Sequence, residues 1–432
     1  MCVGNNKKAL VLVTVLWVVM LLGVIVAVVG QNCRLDTKIC IAATEATRCK
    51  WACRAGRDTA VAVLNEDLRE SDCLTDLWSD NEEDFNDIEL ERCRVSVTVI
   101  DEASKLNINT ATKEQLLGLN EMTEEIADAI IDWRDNDDTA GGLGVEGGYY
   151  ENLPYGYVIR NGPFRTVREL LLVKGVVDEL FYGARGSISG RLGYQSLDKY
   201  VTSPDELQEE VDLGWLYYLT CYSYEQDIDA EGNRRTNINT ADENALVNSL
   251  DIKRSIAKWI VENRPNNNYQ SIADLINDNS PKQASSSRSD SNEAEPMDLE
   301  TFSDVADKIT VSNTQKIPGR ININTALRAV LTALLGGGDD AERLGDNIIA
   351  YRETLDGGMQ SIAEVMDAES INIKTFKEIA NYITVRSNVY AVYSLATAER
   401  SRTDGTVLIT ETVVDRSSTP YGILYRYEGI KN

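Results

Sequence analysis

The chain has 432 residues, with 69 Asp+Glu against 43 Lys+Arg, so its formal net charge is −26, and it contains no histidine. Without histidine there is no Ser–His–Asp triad, no Cys–His pair and no His-ligated zinc site. The negative charge repels phosphate backbones and favours divalent cations and basic partners.

The first element is an apolar run, residues 9–30, with no charge. As a helix at about 1.5 Å per residue it spans roughly 33 Å, enough for a bilayer core. Lys7 and Lys8 precede it, which puts residues 1–8 in the cytoplasm by the positive-inside rule. The run is too long for the core of a cleaved signal, and Gln31-Asn32-Cys33 lacks the small-x-small cleavage pattern. The expectation is a retained single-pass anchor with the bulk of the chain outside the cytoplasm.

Residues 31–101 follow. Ala42, Ala46, Ala52, Ala60, Val63 and Leu64 fall at helical spacing, so the spanning helix continues as an amphipathic half. Cys33, Cys40, Cys49, Cys53, Cys73 and Cys93 lie in this stretch. An even cluster in an exported segment reads as disulfides, and the spacing leaves their pairing open. Cys49 and Cys53 sit one turn apart, so each is expected to pair elsewhere. Residues 79–92 are acidic and loop-like. Arg94 to Ile100 alternates as a strand, and strand patterns return at Val389–Ala396, Thr406–Val414 and Tyr421–Tyr427. The expected fold class is α+β: a long N-terminal transmembrane helix on a small antiparallel sheet. A large, mostly α-helical domain at 102–387 is inserted into that sheet, and strands in 388–432 close it.

The insertion carries an internal repeat. Asn107-Ile108-Asn109-Thr110-Ala111 recurs at Asn237–Ala241 and Asn322–Ala326. Each copy leads through two helical patterns to an arginine, Arg134, Arg264 or Arg352, giving units 105–134, 235–264 and 320–352. Ile126, Ala129, Ile130 and Trp133 mark one buried helix face. The motif reads as a cap and a plug. Asn107, Asn109, Asn237, Asn239, Asn322 and Asn324 are expected to cap helix N-termini, with the isoleucine between each pair buried beneath. A Ser-rich stretch, Ala284 to Ser291, reads as a loop between repeats.

One acidic segment has metal-ligand spacing. Asp135, Asp137, Thr139 and Glu146 fall at positions 1, 3, 5 and 12 of an EF-hand-like loop, with Asp132 and Asp138 as further ligands. Oxygen donors on a glycine-rich loop suit the flexible coordination sphere of calcium. Asp227, Asp229 and Glu231 form a weaker acidic cluster. Nothing in the sequence marks a catalytic site, so the chain is expected not to be an enzyme.

The repeat units resemble the helix-hairpin-helix modules of competence-type DNA-uptake receptors. That resemblance implies a membrane-anchored DNA receptor, the alternative reading. Leu119–Thr123 and Leu250–Arg254 lack the hairpin glycines of that family, and Gly336-Gly337-Gly338 is followed by Asp339-Asp340.

A second resemblance is more specific. Asp101–Asn109, Asp132–Asp138, Gly144–Tyr150, Asn161-Gly162-Pro163-Phe164 and Glu169–Gly175 occur in an order similar to the K-type minor pseudopilins of type II secretion systems (general secretion pathway protein K). This resemblance extends from the anchor to the closing strands. It implies a pilin-like core with a large inserted helical domain, and calcium held in that domain. It implies a structural subunit that caps the pseudopilus tip, taking part in protein secretion across the outer membrane. Partners would be the I- and J-type minor pseudopilins and the major pseudopilin, with exported proteins as further contacts and no nucleic acid. The location would be the inner membrane, with the bulk of the chain periplasmic. Prepilin processing, with methylation, would fall between Lys8 and Ala9, although Lys8 stands where the family has a glycine. The cysteine cluster and the middle repeat mark a divergent branch.

Overall fold

The computed structural model describes residues 5–67, 70–183, 213–276, 293–399, 405–418 and 420–431. The Ser-rich stretch 284–291 lies outside the described residues.

Helix α1 runs from Asn5 to Glu66 without a break. The part that starts at Leu10 is long and apolar enough to cross a membrane, which fits single-pass anchoring. Residues 10–44 are exposed throughout, Ala42 included, and contact with the rest of the chain begins at Glu45. From there one stripe is buried: Cys49, Ala52, Cys53, Ala60 and Leu64. Small side chains let the helix lie close on the sheet. A Cβ added at Gly56 would come within 2.7 Å of Val97 Cγ2, so glycine sets the contact there.

The sheet has five antiparallel strands: β1 (Ile88–Leu90), β2 (Cys93–Asp101), β3 (Val389–Ala398), β4 (Val407–Asp415) and β5 (Gly422–Lys431). They lie side by side in chain order. Along β2, Cys93, Val95, Val97 and Val99 are buried while the residues between them are partly exposed. That alternation is the period-2 pattern of a strand with one face on a helix. Residues 79–92 are more ordered than a loop. A helical turn at Glu82–Phe85 is capped by Asn81, and β1 pairs with β2. The buried Phe85 ring anchors this segment to the core beside α1.

The inserted domain leaves and re-enters the sheet at one neck, because Asp101 at the end of β2 pairs with Tyr390 near the start of β3. Asp101 is buried there and accepts hydrogen bonds from Ser387 Oγ and Thr325 Oγ1, both at 2.6 Å. Burial pushes its carboxyl up to about 6 against those bonds.

Within the insertion the repeat closes on itself three times. Each motif starts with a two-residue strand that pairs in parallel with a later one: Leu106–Asn107 with Leu219–Thr220, Thr236–Asn237 with Ile309–Thr310, and Ile321–Asn322 with Ile383–Thr384. Between the two strands of the third pair lie two helices, a 3-10 turn and a short helix, and the described residues of the first two units carry the same series with further short helical turns. Ile108, Ile238 and Ile323 are fully buried, as the plug role requires. The three units share one continuous hydrophobic core.

The asparagines do a different job from the one expected. The helix N-caps are Thr112 and Asp242 in the first two units, and in the third unit the helix Arg328–Leu334 follows Leu327, which makes no side-chain cap. Asn107, Asn237 and Asn322 instead accept from the N–H two residues on, at 2.8–3.0 Å. That closes a local turn of the kind asparagine favours. Asn109, Asn239 and Asn324 each make a two-way amide bond to a distant backbone: Phe164, Tyr269 and Met359. The arginines complete the unit. Arg134 donates to the carbonyls of Ile108 and Ala111, Arg264 to Ile238 and Ala241, and Arg352 to Ile323 and Ala326. The motif therefore clamps later segments of its own unit.

Candidate metal centre

The helix Glu124–Arg134 places Asp128 and Asp132 one turn apart, and its C-cap is Asp135. The chain then loops through Gly141, Gly142 and Gly144 to Glu146, the residue before the helix Gly147–Glu151. The glycines are required by the fit. A Cβ at Gly144 would stand 2.0 Å from Asp132 Oδ2, and one at Gly142 would stand 2.3 Å from Asp128 Oδ2. Gly142 also has φ +52°, a region that favours glycine. The loop is tied down by hydrogen bonds from Gly141 N to Asp132 Oδ1 (3.0 Å) and from Leu143 N to Asp128 Oδ2 (2.9 Å). Below it, Trp133 packs against Phe164 and Tyr150, with ring centroids 6.0 and 5.3 Å away.

Here Asp132, Asp135 and Glu146 bring carboxylate oxygens within 4.8 Å of one another. Asp132 Oδ2, Asp135 Oδ1, both Glu146 oxygens and Asn161 Oδ1 are buried with no hydrogen-bond partner. Buried charged oxygens without partners are costly, and three negative groups at such separation repel one another. The repulsion shows in the proton affinities. Burial, then Asp132 and Asp135, pushes Glu146 up to about 7. Asp132 and Asp135 are raised too, again by burial first. The donor set is all oxygen, flexible in number and mostly anionic. That suits a hard cation of the calcium type, which takes 6–8 oxygens at about 2.3–2.6 Å.

The structure sorts the expected ligands. Asp132, Asp135 and Glu146 converge. The Asp137 side chain turns back, and its Oδ1 accepts from Thr139 N (2.8 Å). Asp138 Oδ1 accepts from Asn161 Nδ2 (2.9 Å), and Thr139 is exposed. Asn161 was not among the expected ligands. It belongs to the Asn-Gly-Pro-Phe quartet, 15 residues beyond Glu146, and its Nδ2 reaches back to Asp137 O and Asp138 Oδ1. Its φ of 45° marks a backbone held in the left-handed region, the one local signal of a special position.

A second trio, Asp67, Asp72 and Asp76, also gathers its oxygens. Its positive charge is already supplied: Arg416 bonds Asp67 Oδ2 and Asp72 Oδ1, while Tyr390 Oη and Ser387 N also donate to Asp72. Asp227, Asp229 and Glu231 do not form such a group among the described residues. Asp229 accepts from Asn233 N, and Glu231 from Asn233 Nδ2.

The six expected disulfide cysteines are free thiols in this structure. Cys33 and Cys40 are exposed on α1, and the other four are buried. Lys8 and Ala9 lie in the first turns of α1.

Residues 99–186 match the family model described as type II secretion system protein K. The resemblance to that family read from the sequence is borne out over this stretch, which contains the first repeat unit and the whole oxygen-lined loop. No curated protein matches the chain. Among solved structures, the chain is similar to one in the crystal structure of the GspK-GspI-GspJ complex from the enterotoxigenic Escherichia coli type 2 secretion system. The two share 15% identity over 92% of this chain and 99% of that one, with a TM-score of 0.49.

Proposed function

We propose that this chain is a minor pseudopilin of a type II secretion system and caps the tip of its pseudopilus. The observation that carries this reading is the protein K family match over residues 99–186. The architecture agrees with it. A continuous helix of 62 residues, roughly 93 Å long, ends in a head far wider than a helix. The α1 segment before Glu45 exposes Leu35, Ile39 and Ile41, an apolar surface for packing against other pseudopilins. A wide head is accommodated at the end of a filament more readily than within it. In this reading the N-terminus is cytoplasmic, α1 is held in the inner membrane and the head is periplasmic. The partners are I- and J-type minor pseudopilins and the major pseudopilin, and the role is structural.

The head would hold calcium through Asp132, Asp135 and Glu146, with Asn161 as a neutral fourth ligand. When bound, the ion supplies positive charge to a cluster that has none of its own. The residues then connect the end of the helix Glu124–Arg134, the glycine loop and the segment at Asn161 into one rigid face.

The test is co-purification of the full chain, in detergent, with I- and J-type pseudopilins, in calcium-containing and calcium-free buffer. A stable complex is the expected result. A chain that ignores both partners, or that retards DNA in a mobility assay at low salt, overturns the reading.

A further inference from the structure

Of the six cysteines that follow the apolar run, two meet. Cys49 lies on the sheet-facing stripe of α1 and Cys93 is the first residue of β2, and their Sγ atoms are 4.0 Å apart. Both are almost fully buried, at 0% and 2% exposure. Around them pack Ala52, Val95, Ala396 and Leu408, and Cys49 Sγ also donates to the carbonyl of Thr406 at 3.3 Å. The other two buried thiols of this stretch contact oxygen atoms without a second sulfur. Cys53, one turn on, donates to the carbonyls of Ser394 (3.4 Å) and Leu408 (3.6 Å). Cys73 sits against Thr75 Oγ1 and Asp76 Oδ1, both at 3.1 Å.

We propose that Cys49 and Cys93 form a disulfide that fastens α1 to the first long strand of the sheet. A disulfide needs sulfurs about 2.05 Å apart, and a rotation of each side chain about its Cα–Cβ bond moves Sγ by the required amount or more. The bond closes a loop across 44 positions of sequence. That loop holds Asp72, Trp78, Phe85 and β1, a region with little regular structure of its own. Constraining such a loop reduces the freedom of the unfolded chain. It also gives a covalent path for load between the membrane helix and the head. The inference rests on the reading that these residues lie outside the cytoplasm, where disulfides persist.

The electron balance requires an oxidant, either oxidised glutathione or a thiol oxidase carrying a reactive disulfide. One thiolate attacks that disulfide and releases one reduced thiol, leaving a mixed disulfide on the chain. The second cysteine thiolate attacks the chain sulfur, forms the Cys49–Cys93 bond and releases the second reduced thiol. Two protons leave the chain, and two electrons end on the oxidant. In the folded chain, burial and the neighbouring Cys93 push Cys49 up to about 12, where almost no thiolate exists. The exchange therefore belongs to the folding phase, before the helix covers the pair.

The experiment uses the full chain in detergent, unfolded and reduced, then refolded with a mixture of reduced and oxidised glutathione. Thiols are blocked with iodoacetamide under denaturing conditions before and after reduction, and peptides are mapped by mass spectrometry. Trypsin separates Cys49 from Cys53 by cleaving after Lys50. The expected result is Cys49 and Cys93 blocked only after reduction, in wild type and equally in Cys53→Ser. Blocking of either residue without reduction, or a bond from either to another cysteine, overturns the proposal. Labelling of the exposed Cys33 and Cys40 in spheroplasts with a membrane-impermeant maleimide tests the compartment separately. Labelled Cys33 and Cys40 with free Cys49 and Cys93 defeats the disulfide alone. Unlabelled Cys33 and Cys40 defeats the compartment reading, and the refolding result still decides the disulfide.

Discussion

Two of the regions that bury carboxylates solve the problem in opposite ways. Between the repeat units, Glu225 lies fully buried and is bonded by Arg235 Nη2 and Arg320 Nη1, both at 2.6 Å, with Arg386 close by. Arg235 and Arg386 also reach Asp307. Arg235 and Arg320 stand just before the second and third asparagine motifs and Arg386 follows the last, so this hub ties the units together. Burial alone would raise Glu225, but Arg235 and Arg320 hold it at about 2. In the loop at Asp132, Asp135 and Glu146, no bonded arginine or lysine is present, and Glu146 stands at about 7. One cluster carries its own cations; the other has no bonded cation among the described residues.

The contrast is broken most severely by removing the hub's carboxylate. Glu225→Gln leaves up to three buried guanidinium groups without their shared counter-ion. Losing one partner of a buried ion pair costs about 3–5 kcal/mol, so the variant is expected to lose that much in a urea unfolding curve. A loss below about 1 kcal/mol would show that the hub is solvated. The hub also predicts acid sensitivity. The folded value of Glu225, about 2, lies below its ordinary 4.5. Its stabilisation is therefore complete above about 4.5 and is lost as pH falls towards 2.

The loop should respond to a cation where the hub does not. At calcium one hundred times its dissociation constant, linkage gives about 2.7 kcal/mol, or a rise in Tm of roughly 3–5 °C for a head of this size. Chelator should reverse the rise, and Asp135→Ala should abolish it. No shift in the wild type would sink the calcium assignment. The pH dependence has the opposite sign to the hub's. The metal-free value of Glu146, about 7, lies above its ordinary 4.5. The metal-free loop is therefore favoured by protonation below about 4.5 and loses that support as pH rises through about 7. Calcium competes with the proton, so its increment in Tm should be larger at pH 8 than at pH 6.

The two regions were not equally legible in the sequence. The sheet, the long helix and the three units follow from period and repetition, which are local properties, and strand limits differ from expectation by a few residues at most. Asp135 and Glu146 were visible because a loop of fixed length joins them. Asp137 and Thr139 fit the same spacing but do not join the converging trio: Asp137 accepts from the backbone N–H of Thr139 instead. The hub was invisible. Glu225, Asp307 and the three arginines stand far apart in the chain, and no spacing rule connects them. The asparagine motif was recognised as structural but given the wrong contacts, because the partners of Asn109, Asn239 and Asn324 lie 30–55 residues ahead.

Asn161 gives the finest test of the difference. Its Nδ2 donates to Asp137 O and Asp138 Oδ1, both at 2.9 Å, while its Oδ1 is buried and unpartnered. The amide therefore has one end that holds the acidic turn and one oxygen left unpartnered. Asn161→Ala removes both, and calcium affinity should fall by about tenfold or more, the scale of a lost supporting partner. Asn161→Asp restores an oxygen towards the ion and adds charge, but it cannot donate to Asp137 and Asp138. If the oxygen is a ligand, calorimetric titration should give Asn161→Asp a tighter calcium constant than Asn161→Ala. If Asn161 only braces the turn, both variants should weaken calcium alike, and the donor set reduces to Asp132, Asp135 and Glu146.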